Sequence, residues 1–489
     1  MKIAFVSSEV VPFAKTGGLA DVAGSLPIAL KQQGHEVCVF MPRYKCVDKR
    51  KFGLETVTKR VRLRLGKATK EFNLYKTVLP GSDVPVYFID KDSYFNREGL
   101  YLTQGQDFSD NAQRFHYFSL AVLESLKVLG WPVDILHCND WQTGMIPLYL
   151  KTVLAEDPFF RQTTSVYTIH NLAYQGLFNQ EILSELGLPD HLFHPDYLEF
   201  WGKVNFSKAG LVYADTLSTV SDRYSREIQT SEFGCGLDGL LSKRAQDLLG
   251  VVNGLDYQLW DPQNDPKIPV QYGFDNLELK QESKKALLEA SGLPYRADCP
   301  VIGIISRLAD QKGFDILAGA IDRILTEDVQ LVLLGTGEAK YHELFSDLDR
   351  RYPDRIKSHL KFDAVLAQLI YAGSDLFLMP SLYEPCGLGQ LISLRYGTVP
   401  VVRETGGLAD TIVDADLSSE TGNGFVFSDY SADALFQTVN RAITCYHQDP
   451  VRWKGLQRVG MANDFSWTAS AKVYTQIYQK TQEKALVPA

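Results

Sequence analysis

No apolar run in these 489 residues approaches the roughly 18 that a membrane span requires, and the opening KIAFV is too short for the core of a secretion signal. Cysteine is sparse. The seven residues, at 38, 46, 138, 235, 299, 386 and 445, are odd in number and contain no CxxC pair. That pattern fits a reducing compartment, and it argues against a disulfide framework or a zinc ribbon. A cytoplasmic protein is expected. Positive charge is in deficit: the net charge of −9 argues against non-specific binding to nucleic acid or to an anionic membrane. Any anionic ligand must therefore be met by cations gathered locally. No GxxxxGK[ST] string is present, so phosphate transfer from ATP is not expected. Two Asp-x-Asp strings occur. Asp347-Leu348-Asp349 lies inside a predicted helix, and Asp414-Ala415-Asp416 runs into the loop SSETGNG. Neither is joined by histidine or by further carboxylates, so no essential metal is expected.

What the chain does have is a repeated glycine element. Thr16-Gly17-Gly18-Leu19-Ala20-Asp21 recurs letter for letter as Thr405-Gly406-Gly407-Leu408-Ala409-Asp410. The first copy follows an apolar run at 3–6 and opens a stretch of helical period through Leu30. Paired glycines at a helix mouth let backbone N–H groups approach an anion, where the helix dipole adds positive potential. Lys15 supplies a full charge beside them.

Strand-like runs then alternate with helical periods: 36–42 and 84–90, with a charged hairpin between them at 50–80, then 133–140, 163–170 and 216–221. Such alternation predicts a parallel, doubly wound α/β sheet whose ligands bind beyond the carboxyl ends of the strands. Asp140 and His170 both stand at such ends, which points to a shared site. Residues 91–110, with Tyr94, Phe95, Tyr101 and Phe108, read as a long aromatic loop, for which surface packing is favoured over a platform for sugar rings. Gly234-Cys235-Gly236-Leu237-Asp238-Gly239 matches GxGxxG but follows the polar TSEF rather than a strand, so a nicotinamide or flavin site is rejected. Residues 250–269, with Asn-Gly and three prolines, read as a hinge region.

Beyond it the alternation restarts, with strands at 300–307, 329–335, 375–381 and 399–403. Domains of 1–249 and 250–466 are expected, with the helical stretch 467–489 returning to the first. Arg307 leaves one predicted strand, and Lys312 precedes Gly313 and a helix; this spacing suits a diphosphate clamp. Glu384 also follows a strand, and the N–H groups of Gly387 and Leu388 open a helix.

Together KTGGLADV, HCNDWQTG, YTIHNLAYQG, NGLD, SRLADQKG, LMPSLYEPCGLGQ and ETGGLADTI resemble the bacterial and plastid-type starch/glycogen synthases of glycosyltransferase family 5, over essentially the whole chain. The resemblance implies a GT-B fold of two facing Rossmann-like domains with a cleft between them. It implies transfer of glucose from ADP-glucose to the non-reducing end of an α-1,4-glucan, with retention and without a cofactor. A plastid-derived member would work in the stroma. By the same resemblance, Lys15, Gly18 and Asp21 lie at the donor phosphates with Cys386, Gly387 and Leu388, and Phe362 stacks on adenine. Arg307 and Lys312 stabilise departing ADP, Glu384 and His170 contact the glucosyl ring, and Asp140 lies near the acceptor. The chain departs from the pattern at Gly389, where threonine is common and a hydroxyl donor is lost. Alternatives are a transferase using UDP-glucose or a small acceptor, and a non-catalytic glucan-binding protein. The mark of the last would be loss of Lys15, Arg307, Lys312 or Glu384, and all four are present.

Overall fold

The protein, seen in a computed structural model, is described over residues 1–65, 68–416 and 422–486. Most of the SSETGNG loop and the last three residues of the stretch 467–489 lie outside the described residues. The chain divides into two units. The first comprises Met1–Val220, Ser225–Gly254 and Trp467–Ala489, and the second Ser221–Tyr224 and Leu255–Ser466.

The first unit is built on nine strands: β1 (Lys2–Val6), β2 (Glu36–Pro42), β3 (Glu55–Leu65), β4 (Ala68–Val78), β5 (Pro85–Asp90), β6 (Ile135–Asn139), β7 (Thr164–Ile169), β8 (Thr216–Thr219) and β9 (Leu248–Gly250). Their order is β9-β8-β7-β6-β1-β2-β5-β4-β3. From β9 to β5 every pairing is parallel. The central strands are buried along almost their whole length, as parallel strands covered on both faces must be, with His137 and Asn139 of β6 among the buried polar residues. The sheet is mixed rather than wholly parallel, because β4 runs antiparallel to both β5 and β3. The six residues between β4 and β5 are too few for the crossover that parallel pairing needs. In this hairpin Val61, Leu63, Phe72 and Leu74 are buried while charged residues alternate with them.

Helix α1 (Gly18–Gln32) follows β1, and α2 (Asn111–Val128) precedes β6. The aromatic stretch before α2 is neither a plain loop nor a surface patch. It forms a short helix, Asp92–Phe95, and a small hairpin pairing Leu102–Thr103 with Gln106–Asp107. Phe95 is fully buried, because the Arg114 guanidinium is sandwiched among Phe95, Phe108 and Phe115 and donates to the carbonyls of Tyr94 and Leu100. A buried cation accepts such a place only when its donors and its faces are all engaged.

The second unit carries an all-parallel six-stranded sheet of β10 (Val301–Ile305), β11 (Gln330–Leu334), β12 (Ile356–His359), β13 (Leu376–Met379), β14 (Val399–Arg403) and β15 (Phe425–Phe427), ordered β12-β11-β10-β13-β14-β15. Helix α3 (Phe314–Ile324) buries Phe314, Leu317, Ile321 and Ile324 against Ile302, Leu331 and Leu333. This is the i, i+3, i+7 stripe that its sequence carries.

The chain leaves the first unit after Gly254, because 248–250 is a strand paired with β8. The stretch read as a hinge is thus shared between the units. Gly254 lets the backbone and ring of Trp467 come within 2.6 Å of where a Cβ would stand. Trp467 opens α4 (Trp467–Leu486), whose Ala471, Tyr474 and Tyr478 are buried in the first unit. The Tyr478 hydroxyl lies 2.6 Å from Nδ1 of His137 in β6. Burial pushes that imidazole down to about 3, so it packs as a neutral ring.

Candidate active site

Each unit gathers its own part of the predicted residues. In the first, Asp140 and His170 stand just beyond the ends of β6 and β7 and touch: Asp140 Oδ1 accepts the His170 N–H at 2.8 Å. Asp140 sits in the left-handed region, at φ +55°, a conformation that strains a non-glycine residue and aims its carboxylate across the strand ends. Its low-dielectric surroundings push that carboxyl up to about 7, against the downward pull of the amides of His170 and Asn171. His170 Nε2 lies 2.9 Å from Asn139 Oδ1, and the Asn139 amide is fixed in turn by donating to the Val6 carbonyl at 2.9 Å. Nε2 therefore carries the proton and Nδ1 the lone pair. Burial pushes the imidazole down to about 3, so it stays neutral.

The Lys15–Gly18 loop has a feature that the sequence reading missed. The carboxylate of Glu9, itself buried, accepts the Thr16 N–H, the Thr16 hydroxyl at 2.5 Å, the Gly17 N–H at 3.2 Å and the Tyr101 hydroxyl at 2.7 Å. One of the two glycine amides expected to meet an external anion, that of Gly17, is therefore taken internally. The outer face of the loop stays open: a Cβ at Gly17 or Gly18 would meet nothing within 4 Å. Lys15, 53% exposed, forms a 2.7 Å ion pair with Asp21 in the first turn of α1. The only hint of Glu9 in the sequence is an acid six residues before the loop.

In the second unit Arg307, Lys312, Glu384, Gly387 and Leu388 line one cavity of about 180 Å³ at the carboxyl ends of β10 and β13. That is room on the scale of one sugar ring or a diphosphate. Lys312 Nζ lies 2.6 Å from Glu384 Oε2, and the Ser381 hydroxyl donates to the same oxygen at 3.1 Å. Ser381 was not foreseen. Arg307 reaches Gln311 at 3.2 Å and is otherwise exposed toward the cavity. Gly387 takes φ +73°, and any Cβ there would strike the Gln390 side chain. Cys386 is buried behind this turn, its carbonyl accepting from Gln390 Nε2 at 3.0 Å. Phe362 stands apart from the cavity lining. It is on the loop leaving β12, 89% exposed, with its ring face open.

The second Thr-Gly-Gly-Leu-Ala-Asp copy has a different role from the first. Gly406 and Gly407 are buried against the loop that carries Glu384, where a Cβ would come within 2.0 Å of the Glu384 and Cys386 carbonyls respectively. The Gly407 N–H donates to the Glu384 carbonyl at 3.1 Å. This copy shapes the Glu384 turn from behind. The aspartate strings are engaged as well. Asp414 and Asp416 pair with Arg441, Asp416 also with Arg452, and Asp347 with Arg350 and Arg351.

Comparison with known proteins places this geometry in context. The starch synthase catalytic domain family matches residues 2–243, and glycosyl transferases group 1 matches residues 292–455. The chain is 48% identical to the glycogen synthase of Thermosipho africanus over 488 residues, spanning 99% of this chain and 100% of that protein. It is 50% identical to that of Moorella thermoacetica over 495 residues, spanning 99% and 97%. The catalytic domain of starch synthase IV from Arabidopsis thaliana, solved bound to ADP and acarbose, superposes with a TM-score of 0.89 at 33% identity, covering 98% of this chain and 99% of that one. A sucrose-phosphate synthase from Thermosynechococcus elongatus, at 19% identity and a TM-score of 0.59 over 99% of each chain, shares the fold. Two Rossmann-like units of the GT-B type, with identity to glycogen synthases along the full length, establish that the chain belongs to the glycogen synthase family, glucosyltransferases that build α-1,4-glucan.

Proposed function

We propose that this chain moves glucose from ADP-glucose to the non-reducing end of an α-1,4-glucan, with retention, using its own cations in place of a metal. The observation that carries the reading is the cavity shared by Arg307, Lys312 and Glu384. A nucleoside diphosphate leaves without being protonated once its charge is met. Arginine offers a bidentate fork and lysine a mobile point charge, the pair such a leaving group requires. Lys312 is held by Glu384 and aligned before the donor arrives, so its charge is preorganised for the bond-breaking step. Glu384 in turn has oxygens to accept from glucosyl hydroxyls.

Lys15, with Gly18 and Asp21 beside it, is a further cation for donor phosphate, and the open face of Phe362 receives the adenine. Asp140 and His170 serve the sugars: the carboxylate accepts from acceptor hydroxyls and the neutral imidazole offers a lone pair to the glucosyl ring. The acceptor hydroxyl attacks on the face from which the phosphate leaves, and a phosphate oxygen takes its proton. No carboxylic acid is needed to protonate the leaving group, in contrast to glycoside hydrolysis.

The test is a side-by-side assay of ADP-glucose and UDP-glucose with a maltooligosaccharide primer, with and without a chelator. Extension of the primer from ADP-glucose, undiminished by chelation, is the expected result. Turnover from UDP-glucose alone overturns the donor assignment, and loss of activity on chelation overturns the metal-free one.

A further inference from the structure

At the tip of a hairpin in the first unit, Glu199–Phe200 pairs antiparallel with Lys203–Asn205 and Trp201 is thrust outward, 80% exposed. Its backbone is left-handed, at φ +48°, a conformation that costs a bulky residue free energy and is retained only where the surroundings impose it. They do so here. The Glu199 carboxylate accepts the Gly202 N–H at 2.7 Å, and Lys208 Nζ ties the base of the hairpin to the carbonyls of Pro195 and Glu199. Among the described residues the indole stacks on the ring of Phe200, with centroids 4.8 Å apart and planes 21° from parallel. Gly236 lies beneath both rings, where a Cβ would come within 2.9 Å of each. The result is a flat, rigidly backed aromatic face turned to solvent.

This face is tied to the loop that follows His170. The loop after His170 carries Gln175, whose Nε2 donates to the Cys235 carbonyl at 3.0 Å, next to Gly236. Its Oε1 accepts from Asn205 Nδ2 of the hairpin at 2.7 Å. One buried side chain thus links the strand end bearing His170 to both supports of the indole.

We infer that Trp201 is a remote glucan subsite, on which a pyranose of the acceptor chain stacks several residues away from the end being extended. Resting on the reading that Asp140 serves the acceptor end, it names what receives the rest of that chain. A hexose presents an apolar face of C–H groups, which matches an aromatic plane, and an α-1,4-glucan offers such faces repeatedly. Phe200 backs the indole, so the aromatic plane is held in place before a sugar arrives.

The experiment compares Trp201→Ala, Trp201→Gly and Trp201→Phe with the wild type. The glycine variant relieves the strained φ, so a folding defect cannot account for its loss. Retention in gels containing glycogen, run without donor, reports binding alone, and KM is measured for maltotriose and for glycogen. The alanine and glycine variants should weaken retention and raise the glycogen KM about tenfold, with kcat and the maltotriose KM unchanged, and phenylalanine should restore most of the loss. Unaltered retention, or an equal rise in KM for both acceptors, overturns the inference. Absence of transfer from ADP-glucose in the wild type would instead strike the donor assignment, leaving the retention result to judge Trp201 by itself.

Discussion

The ammonium of Lys312 and the carboxylate of Glu384 are 2.6 Å apart, on loops that leave two neighbouring strands of the same sheet. Neither has its partner by sequence proximity; parallel pairing of β10 with β13 brings them together. If Lys312 neutralises the leaving diphosphate, Lys312→Ala and Glu384→Ala each lower kcat by at least about a hundredfold, a loss of ~3 kcal/mol of transition-state stabilisation. The double variant falls well short of the product of the two, since each needs the other. Steady-state rates of the four proteins check this, and additive losses contradict a coupled pair.

Glu9 gathers the amides and hydroxyls that shape the Lys15–Gly18 loop. Glu9→Gln keeps the volume but replaces an acceptor oxygen with an NH₂ donor facing other donors. A loss of ~1–3 kcal/mol in unfolding free energy is expected, together with a raised KM for ADP-glucose. Denaturant melts and donor titrations measure the two effects; an unchanged KM would mean that the loop's shape is irrelevant to the donor.

The raised carboxyl of Asp140 makes stability depend on pH with a definite sign. Below its unfolded value near 4 both states are protonated. Between there and about 7 the folded state holds the proton that the unfolded state has released, so stability falls as pH rises through that window. Asp140→Asn removes this slope. The urea midpoint at pH 8 minus that at pH 5 should therefore be larger in the variant than in the wild type. His170, pushed down to about 3 by burial, contributes the opposite slope: between there and its unfolded value near 6.5 the unfolded state holds the extra proton, so stability rises with pH across that window in both proteins.

Truncation after Ser466 removes α4, uncovering the groove that buries Tyr474 and Tyr478 and leaving His137 without its tyrosine partner. Loss of two large buried aromatics, at ~3–5 kcal/mol each on the scale of Phe→Ala, exceeds what most domains can spare. Insoluble or molten protein is expected. A soluble, cooperatively melting truncation with full activity would show that α4 is dispensable.

Much of this architecture was legible in the chain because apolar runs with β-branched residues are unambiguous where both faces are covered. The strands at 36–42 and 399–403 agree to the residue with those observed. The short edge strands 356–359 and 425–427 were missed, since IKSH and FVF carry too few residues to show a period. Cations at strand ends could be picked out by position alone. Glu9, Ser381 and Arg114 could not, because their partners are fixed by tertiary placement: a carboxylate reaching amides seven and eight residues away leaves no spacing signature. The aromatic stretch misled for a related reason, as the cation that organises Phe95 and Phe108 lies beyond it, in α2.

The two identical hexapeptides differ in how a single methyl group would be received. At Gly18 it meets empty space, so alanine there leaves the fold intact and is felt only by whatever arrives from outside. At Gly406 or Gly407 it collides with main-chain oxygens that have nowhere to go, and the turn holding Glu384 is displaced before any substrate is present. Spelling alone does not tell one use of glycine from the other: in one copy it keeps a doorway clear, and in the other it lets two walls meet.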